Sequence, residues 1–270
     1  MTTLVIGARG NVGRAVVEQL LALGEDVRAS VRRIRGDEFP AQVEVVRADL
    51  SEPDSLSAAL RGVQRAFLYA PEPNQVADVI RVLEKAEPER VVQLSSGSVL
   101  LESAVGNSIA EEHRVAEDAF AATSLPWAPI RPLVLATNDL HWDTQHPIRL
   151  VRPQARTAPI HEHDIAAVAV TALTTTKATG GILTGNELLS QEERVAIIAD
   201  VLGRPLRVEE LTEDDARKAF HDSTQLEAIL DFLRKAADGG SPATGVVEKI
   251  LGRKPLSYRQ WVEDHRNDLA

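Results

Sequence analysis

Two rhythms of apolar and polar positions alternate along the first half of the chain. Short apolar runs, such as Leu4-Val5-Ile6, give way to stretches that are apolar at helical spacing, such as Ala15-Val16-Val17 continuing to Leu20 and Leu21. The pattern predicts strands near 3–7, 26–31, 43–46, 66–69, 90–94 and 127–131. It predicts helices near 11–23, 53–60, 73–86 and 108–122. Pro53 and Pro73 stand where helices begin, because a first-turn proline gives up only an N–H that would have no partner. Gly24 and Gly62 stand where helices end. Alternating strand and helix patterns predict an α/β fold: a doubly wound parallel sheet with helices on both faces.

The second half loses this rhythm. Segment 132–160 holds four prolines (Pro132, Pro147, Pro153, Pro159) and no clear periodicity, and is expected to be a long excursion over a site. Asp164 is placed to cap a helix that starts at Ile165. Gly180-Gly181-Ile182-Leu183-Thr184-Gly185 predicts a last short strand. Acidic helical stretches follow from Glu187, interrupted by a flexible break at Asp238-Gly239-Gly240-Ser241-Pro242. There is no internal repeat.

Composition narrows the function classes. The chain has 270 residues, 44% of them hydrophobic, enough for a substantial core. It has no cysteine, which excludes disulfides, thiolate catalysis and cysteine-held metals. A net charge of −10 argues against nucleic acid as a partner. No leader pattern precedes the first strand, and no uncharged run approaches the ~20 residues of a membrane helix. A soluble, cytoplasmic protein is expected, acting on a small molecule as a monomer or homodimer, without a membrane partner.

The strongest chemical signal is Gly7, Gly10 and Gly13, directly after the first strand and opening the first helix. Strand, glycine turn and helix make a phosphate-binding corner: the backbone approaches a pyrophosphate closely, and the helix N-terminus offers unpaired N–H groups and partial positive charge. The spacing is G-x-x-G-x-x-G, not the dinucleotide fingerprint G-x-G-x-x-G. The second strand decides the nucleotide. An NAD site closes it with an acid for the ribose 2′-hydroxyl, whereas this one ends in Arg32 and Arg33, suited to the 2′-phosphate of NADP(H). Arg9, inside the turn, can assist. Asp49-Leu50, after the third strand, borders the adenine position, and Tyr69-Ala70-Pro71 passes beside the pyrophosphate and ribose.

These residues resemble the NmrA-like, NAD(P)H-binding group of atypical short-chain dehydrogenase/reductases over nearly the whole chain. The likeness rests on Gly7–Gly13, Val31-Arg32, Ala48-Asp49-Leu50, Val92–Gly97, Glu112–Glu117 and Leu125–Pro132. It continues through Asn138, His163–Ala166, Leu183–Ser190, Leu202–Pro205 and Leu251–Trp261. The run Glu112–Glu117 looks most like a quinone-reductase-like branch. The resemblance implies a Rossmann domain over 1–135, with 159–185 returning to it, and a smaller substrate lobe from 136–158 and 186–270. It implies that Gly7, Gly10, Asn11, Val12 and Gly13 hold the pyrophosphate. Arg32 would face the 2′-phosphate, and Asp49 and Leu50 the adenine. Ala70 and Pro71 would line the cofactor path, Ser95 would lie near the nicotinamide, and Pro132, Leu133 and Val134 would lie near the carboxamide.

The chain departs from the family's usual catalytic pattern. It has two tyrosines, Tyr69 and Tyr258, and neither has Lys four residues later. At the expected place stand Ile109 and His113. Hydride transfer to an activated acceptor such as a quinone needs less help from a proton donor. Ser95, Ser96, water or His113 can return a proton, and His113 can equally serve as a ribose hydrogen-bonder with no acid role. His161-Glu162-His163-Asp164 lacks the spacing that presents two imidazoles to one ion, so no metal is expected. Asn138, His141 and Trp142 are expected to line the substrate cleft. Three functions remain open: an NADPH-dependent reductase of a quinone or similar conjugated carbonyl, a non-catalytic NADP(H) sensor, and a non-redox pathway enzyme such as a dehydratase or cyclase.

Overall fold

The computed structural model describes residues 1–36, 39–220 and 225–270; residues 221–224 of the expected lobe lie outside the described residues. The chain forms two compact units, one of residues 1–99, 112–132 and 162–181, the other of residues 100–111, 133–161 and 182–270.

In the first unit the alternating pattern becomes β1 (Thr2–Val5), α1 (Asn11–Ala22), β2 (Asp26–Val31), β3 (Glu44–Arg47), α2 (Pro53–Ala59) and β4 (Arg65–Tyr69). It continues with α3 (Val76–Ala86), β5 (Arg90–Leu94), α4 (Ser108–Ala121, of which residues 112–121 lie in this unit), β6 (Trp127–Pro132) and α5 (Glu162–Thr174). The six strands run parallel in the order β3-β2-β1-β4-β5-β6, with Val5 opposite Ala29 on one side and Phe67 on the other. This is the expected doubly wound Rossmann sheet. The order reverses between β1 and β4, and every strand delivers its C-terminal end to the same edge, where such sheets bind ligands.

Central strands covered on both faces are apolar without alternation: Leu4 and Val5 of β1, and Ala66, Phe67 and Leu68 of β4, are fully buried. Leu56 of α2 and Leu60 just after it, Val79 and Leu83 of α3 and Phe120 of α4 pack with Leu4, Leu68 and Val91. Helices α1 and α5 pack on each other, and Gln19 Nε2 donates to the His163 carbonyl at 2.9 Å.

Two predicted helix starts need correction. Pro73 does not open α3: residues 73–75 form a turn, in which the Gln75 N–H donates to the Glu72 carbonyl at 2.8 Å, and the helix begins at Val76. Pro53 does occupy the first turn of α2. Asp164 is not a cap, since α5 already begins at Glu162. Both acids lie in its first turn, where the helix dipole favours negative charge.

The second unit contains β7 (Ile148–Val151), β8 (Arg156–Thr157), β9 (Ile182–Leu183), β10 (Leu189–Ser190), α6 (Gln191–Leu202) and β11 (Val208–Leu211). Helices α7 (Glu213–Ala219), α8 (Leu226–Ala237), α9 (Val246–Leu251), α10 (Tyr258–Asp264) and α11 (Arg266–Leu269) follow. β7 and β11 pair in parallel, and β8 and β10 antiparallel. The expected long excursion, which showed no clear periodicity, therefore contains two strands. β7 escaped because it is four residues long, with Ile148 and Leu150 buried around exposed Arg149. Helix α6 opens with a capping box: the Ser190 hydroxyl accepts from the Glu193 N–H and the Glu193 carboxylate accepts from the Ser190 N–H.

Inside this unit is a buried ionic cluster. Arg194 Nη1 donates to both Asp139 carboxylate oxygens at 2.8 Å, and Tyr258 donates to Asp139 Oδ2 at 2.6 Å. The Arg194 guanidinium lies 5.0 Å from the centre of the Trp142 ring. Burial pushes the Asp139 carboxyl up, while Arg194 and Tyr258 pull it down. No helix among the described residues is long and apolar enough to cross a membrane.

Candidate cofactor and active site

The strand ends of the first unit assemble the site. After β1 the chain turns through Gly7, with φ +74°, and enters α1 from Gly10, whose N–H donates to the Gly7 carbonyl at 2.9 Å. The turn is tight enough that a side chain on Gly13 would place its Cβ 2.3 Å from the Gly7 carbonyl oxygen. Helix α1 has no side-chain cap and no acid in its first turn, so its N-terminal N–H groups and dipole are left for an anion from elsewhere.

Arg9 reaches from the turn to the end of β2, where its Nη2 donates to the Arg33 carbonyl at 2.5 Å. Arg9, Arg32 and Arg33 thus gather at one corner, with the side chains of Arg32 and Arg33 exposed. Asp49 follows β3. Its Oδ1 accepts from the Ser51 N–H at 2.9 Å and the Ser51 hydroxyl at 2.7 Å. These bonds, helped by the nearby charges of Arg32 and Arg47, hold its carboxyl below the usual range. Leu50 packs partly buried against the α2–α3 core.

Beyond β4 lie Ala70 and Pro71; the Ala70 N–H donates to the Leu94 carbonyl at 3.0 Å. Ser95 follows β5, its N–H donating to the Ile130 carbonyl at 2.7 Å, and its buried hydroxyl has no partner. Ser96 and Ser98 hydrogen-bond to each other at 2.8 Å. His113 projects from α4 with a buried Nδ1 that also lacks a partner. One turn later Glu117 holds Arg131 of β6 through two bonds, at 2.8 and 2.5 Å. Burial pushes the His113 imidazole down, and the carboxylates of Glu117 and Glu72 raise it only in part. His113 is therefore neutral at neutral pH, with one ring nitrogen a donor and the other an acceptor.

The glycine cradle and the corner of guanidinium groups form a donor set that fits a dinucleotide phosphate, and the buried Ser95 Oγ and His113 Nδ1 each need a hydrogen bond that the protein does not supply. Pro132 ends β6 in the first unit. Val134, Asn138, His141 and Trp142 belong to the second unit. Asn138 and His141 are exposed there, while Trp142 packs against Val195, Ile148 and Leu150 beneath Arg194. Among the described residues no three His, Asp or Glu side chains are grouped as metal ligands. Sequence reasoning placed Tyr69 beside the pyrophosphate without giving its side chain a role, and it missed the pairing of Glu117 with Arg131, which depends on an α4–β6 contact. The signal for Tyr69 was present: it is the last residue of β4, facing the glycine turn.

Comparison with known proteins agrees with this geometry. A family model described as NAD(P)H-binding matches residues 7–176. The chain is 32% identical over 284 residues to the (4-alkanoyl-5-oxo-2,5-dihydrofuran-3-yl)methyl phosphate reductase of Streptomyces griseus, covering 99% of each chain. Among solved structures it is similar to triphenylmethane reductase from Citrobacter sp. complexed with NADP(H), with TM-score 0.79, 19% identity and coverage of 98% of this chain and 99% of that one. It is also similar to an NADPH-dependent quinone oxidoreductase from Escherichia coli, with TM-score 0.78, 20% identity and coverage of 99% and 100%. The glycine corner, the strand order and the family match converge: the chain belongs to the NAD(P)H-binding family of NmrA-like, atypical short-chain dehydrogenase/reductases.

Proposed function

We propose that the protein is an NADPH-dependent reductase of a quinone or similar conjugated carbonyl compound. The observation that carries this reading is the pair of unsatisfied buried atoms, Ser95 Oγ and His113 Nδ1, in a chain that has the glycine turn and the β2-end arginines but no Tyr-x-x-x-Lys pair. Gly7, Gly10, Asn11, Val12 and Gly13 would hold the pyrophosphate. Arg9, Arg32 and Arg33 would hold the 2′-phosphate, Asp49 and Leu50 would border the adenine, and Ala70 and Pro71 the path between them. Bound there, the nicotinamide supplies a hydride.

The chain's own groups position and hold protons. Neutral His113 is a weak acid but a good hydrogen-bond partner for a ribose hydroxyl. Ser95 Oγ–H can donate to the acceptor's developing oxyanion. Pro132 would bound the carboxamide. An acceptor already polarised by conjugation needs no stronger acid. The Streptomyces griseus relative supports this class, because its substrate name describes a ring alkene conjugated to two carbonyl groups.

The test is NADPH consumption against a panel of quinones and unsaturated lactones. Turnover is expected with at least one class, and its kcat/KM should show no imidazole titration above neutral pH, since burial pushes the His113 imidazole down. Tight NADPH binding with no turnover on any acceptor would instead favour the NADP(H) sensor. Arg32→Ala should weaken NADPH binding by about 10- to 100-fold, the scale of a lost charge-assisted contact, and leave NADH binding within about twofold. Calorimetric titration with both cofactors measures this.

A further inference from the structure

The mouth of α1 contains a side chain that the cofactor assignment does not use. Tyr69 lies against the glycine turn, and its hydroxyl oxygen accepts the Gly13 N–H at 3.3 Å. The fit is close. A Cβ on Gly7 would come within 2.7 Å of the Tyr69 ring, and a Cβ on Gly10 within 2.6 Å of its hydroxyl. The ring is held from the other side by an edge-to-face contact with Phe67, centroids 5.9 Å apart. Two of the three turn glycines therefore make room for this phenol as well as for a phosphate.

We propose that Tyr69 is a fixed hydrogen-bond donor to the cofactor's pyrophosphate. The direction of the proton follows from the geometry. Because the hydroxyl oxygen accepts from Gly13, its own hydrogen must point away from that N–H, and among the described residues it meets no acceptor. An anion at the α1 N-terminus supplies one. Burial also pushes the Tyr69 phenol up, so it keeps its proton at neutral pH. A neutral donor beside the backbone N–H groups adds a charge-assisted bond without adding charge, and it turns a turn-and-dipole site into one with a side chain of defined direction. The proposal rests on the reading that the glycine turn receives the pyrophosphate.

The test is Tyr69→Phe, which keeps the ring, its contact with Phe67 and its packing on Gly7. Thermal unfolding of the cofactor-free variant should match wild type to within a few degrees. Titration should show NADPH, NADP⁺ and NADH all weakened equally, by about tenfold, because all three share the pyrophosphate. The equal loss separates Tyr69 from Arg32, whose removal should change the ratio of NADPH to NADH affinity. If wild type binds NADPH and Tyr69→Phe binds it equally well or more tightly, the hydroxyl is a spectator or a plug on the Gly13 N–H, and the proposal is overturned. If wild type binds no NADPH at all, the cofactor reading falls, and this proposal with it.

Discussion

Gly13→Ala is expected to lower NADPH affinity at least about a hundredfold. The added Cβ would lie 2.3 Å from the Gly7 carbonyl oxygen, 2.9 Å from the Gly7 carbonyl carbon and 3.1 Å from the Ala8 Cα. All three are backbone atoms, so no flexible side-chain end can yield; relief requires α1 and the turn to move apart. A displacement of about an ångström in a positioning element is enough for a loss of this size. Overpacking should also destabilise the fold by about 1–3 kcal/mol. Gly24→Ala is the matched control. Gly24 follows the same helix with φ +74° but has open space around its Cβ, so the variant should show backbone strain near 1 kcal/mol and normal NADPH affinity. Titration and urea unfolding of both variants separate the two effects. Normal NADPH binding by Gly13→Ala would mean that the turn does not hold the cofactor.

The second large effect lies in the other unit. Asp139→Ala should destabilise the protein by about 3–5 kcal/mol, because it leaves the Arg194 guanidinium buried without its carboxylate and the Tyr258 hydroxyl without its acceptor. Asp139 and Arg194 are 2% and 4% exposed, so water cannot replace the lost partner. At about 2–4 °C per kcal/mol for a chain of this size, Tm should fall by roughly 10 °C. Removing both charges, as Asp139→Leu with Arg194→Met, should recover much of the loss, since a buried pair is costly to break but often replaceable by apolar side chains. A double variant less stable than Asp139→Ala would show that the ionic cluster contributes more than mutual neutralisation.

What was legible in the sequence follows from how local each cause is. The β1–turn–α1 corner is encoded in consecutive residues: an apolar run, three glycines at fixed spacing and a helical apolar face. Its position and its helix appear as expected. Arg32 needed only the end of β2, which the alternating pattern located. The absence of the Tyr-x-x-x-Lys pair was decided by inspection, because the chain has only two tyrosines.

The features that were missed depend on contacts distant in sequence. Tyr69 meets Gly13 across 56 residues, and Asp139 meets Tyr258 across 119. No local period announces either. Pro73 misled because a proline suited to a first helical turn is equally suited to the turn before one. The strands of segment 132–160 were hidden because two- and four-residue strands are too short to establish a period.

The central claim is that this cofactor site reduces a conjugated acceptor without the usual catalytic pair. The most direct measurement is a single anaerobic turnover with NADPH deuterated at the transferring nicotinamide position and an unsaturated lactone or quinone in slight excess. One equivalent of NADPH oxidised per equivalent of acceptor reduced, with deuterium retained at a carbon of the reduced lactone, is the result the account predicts. NADPH bound tightly but left unoxidised by every acceptor would contradict it.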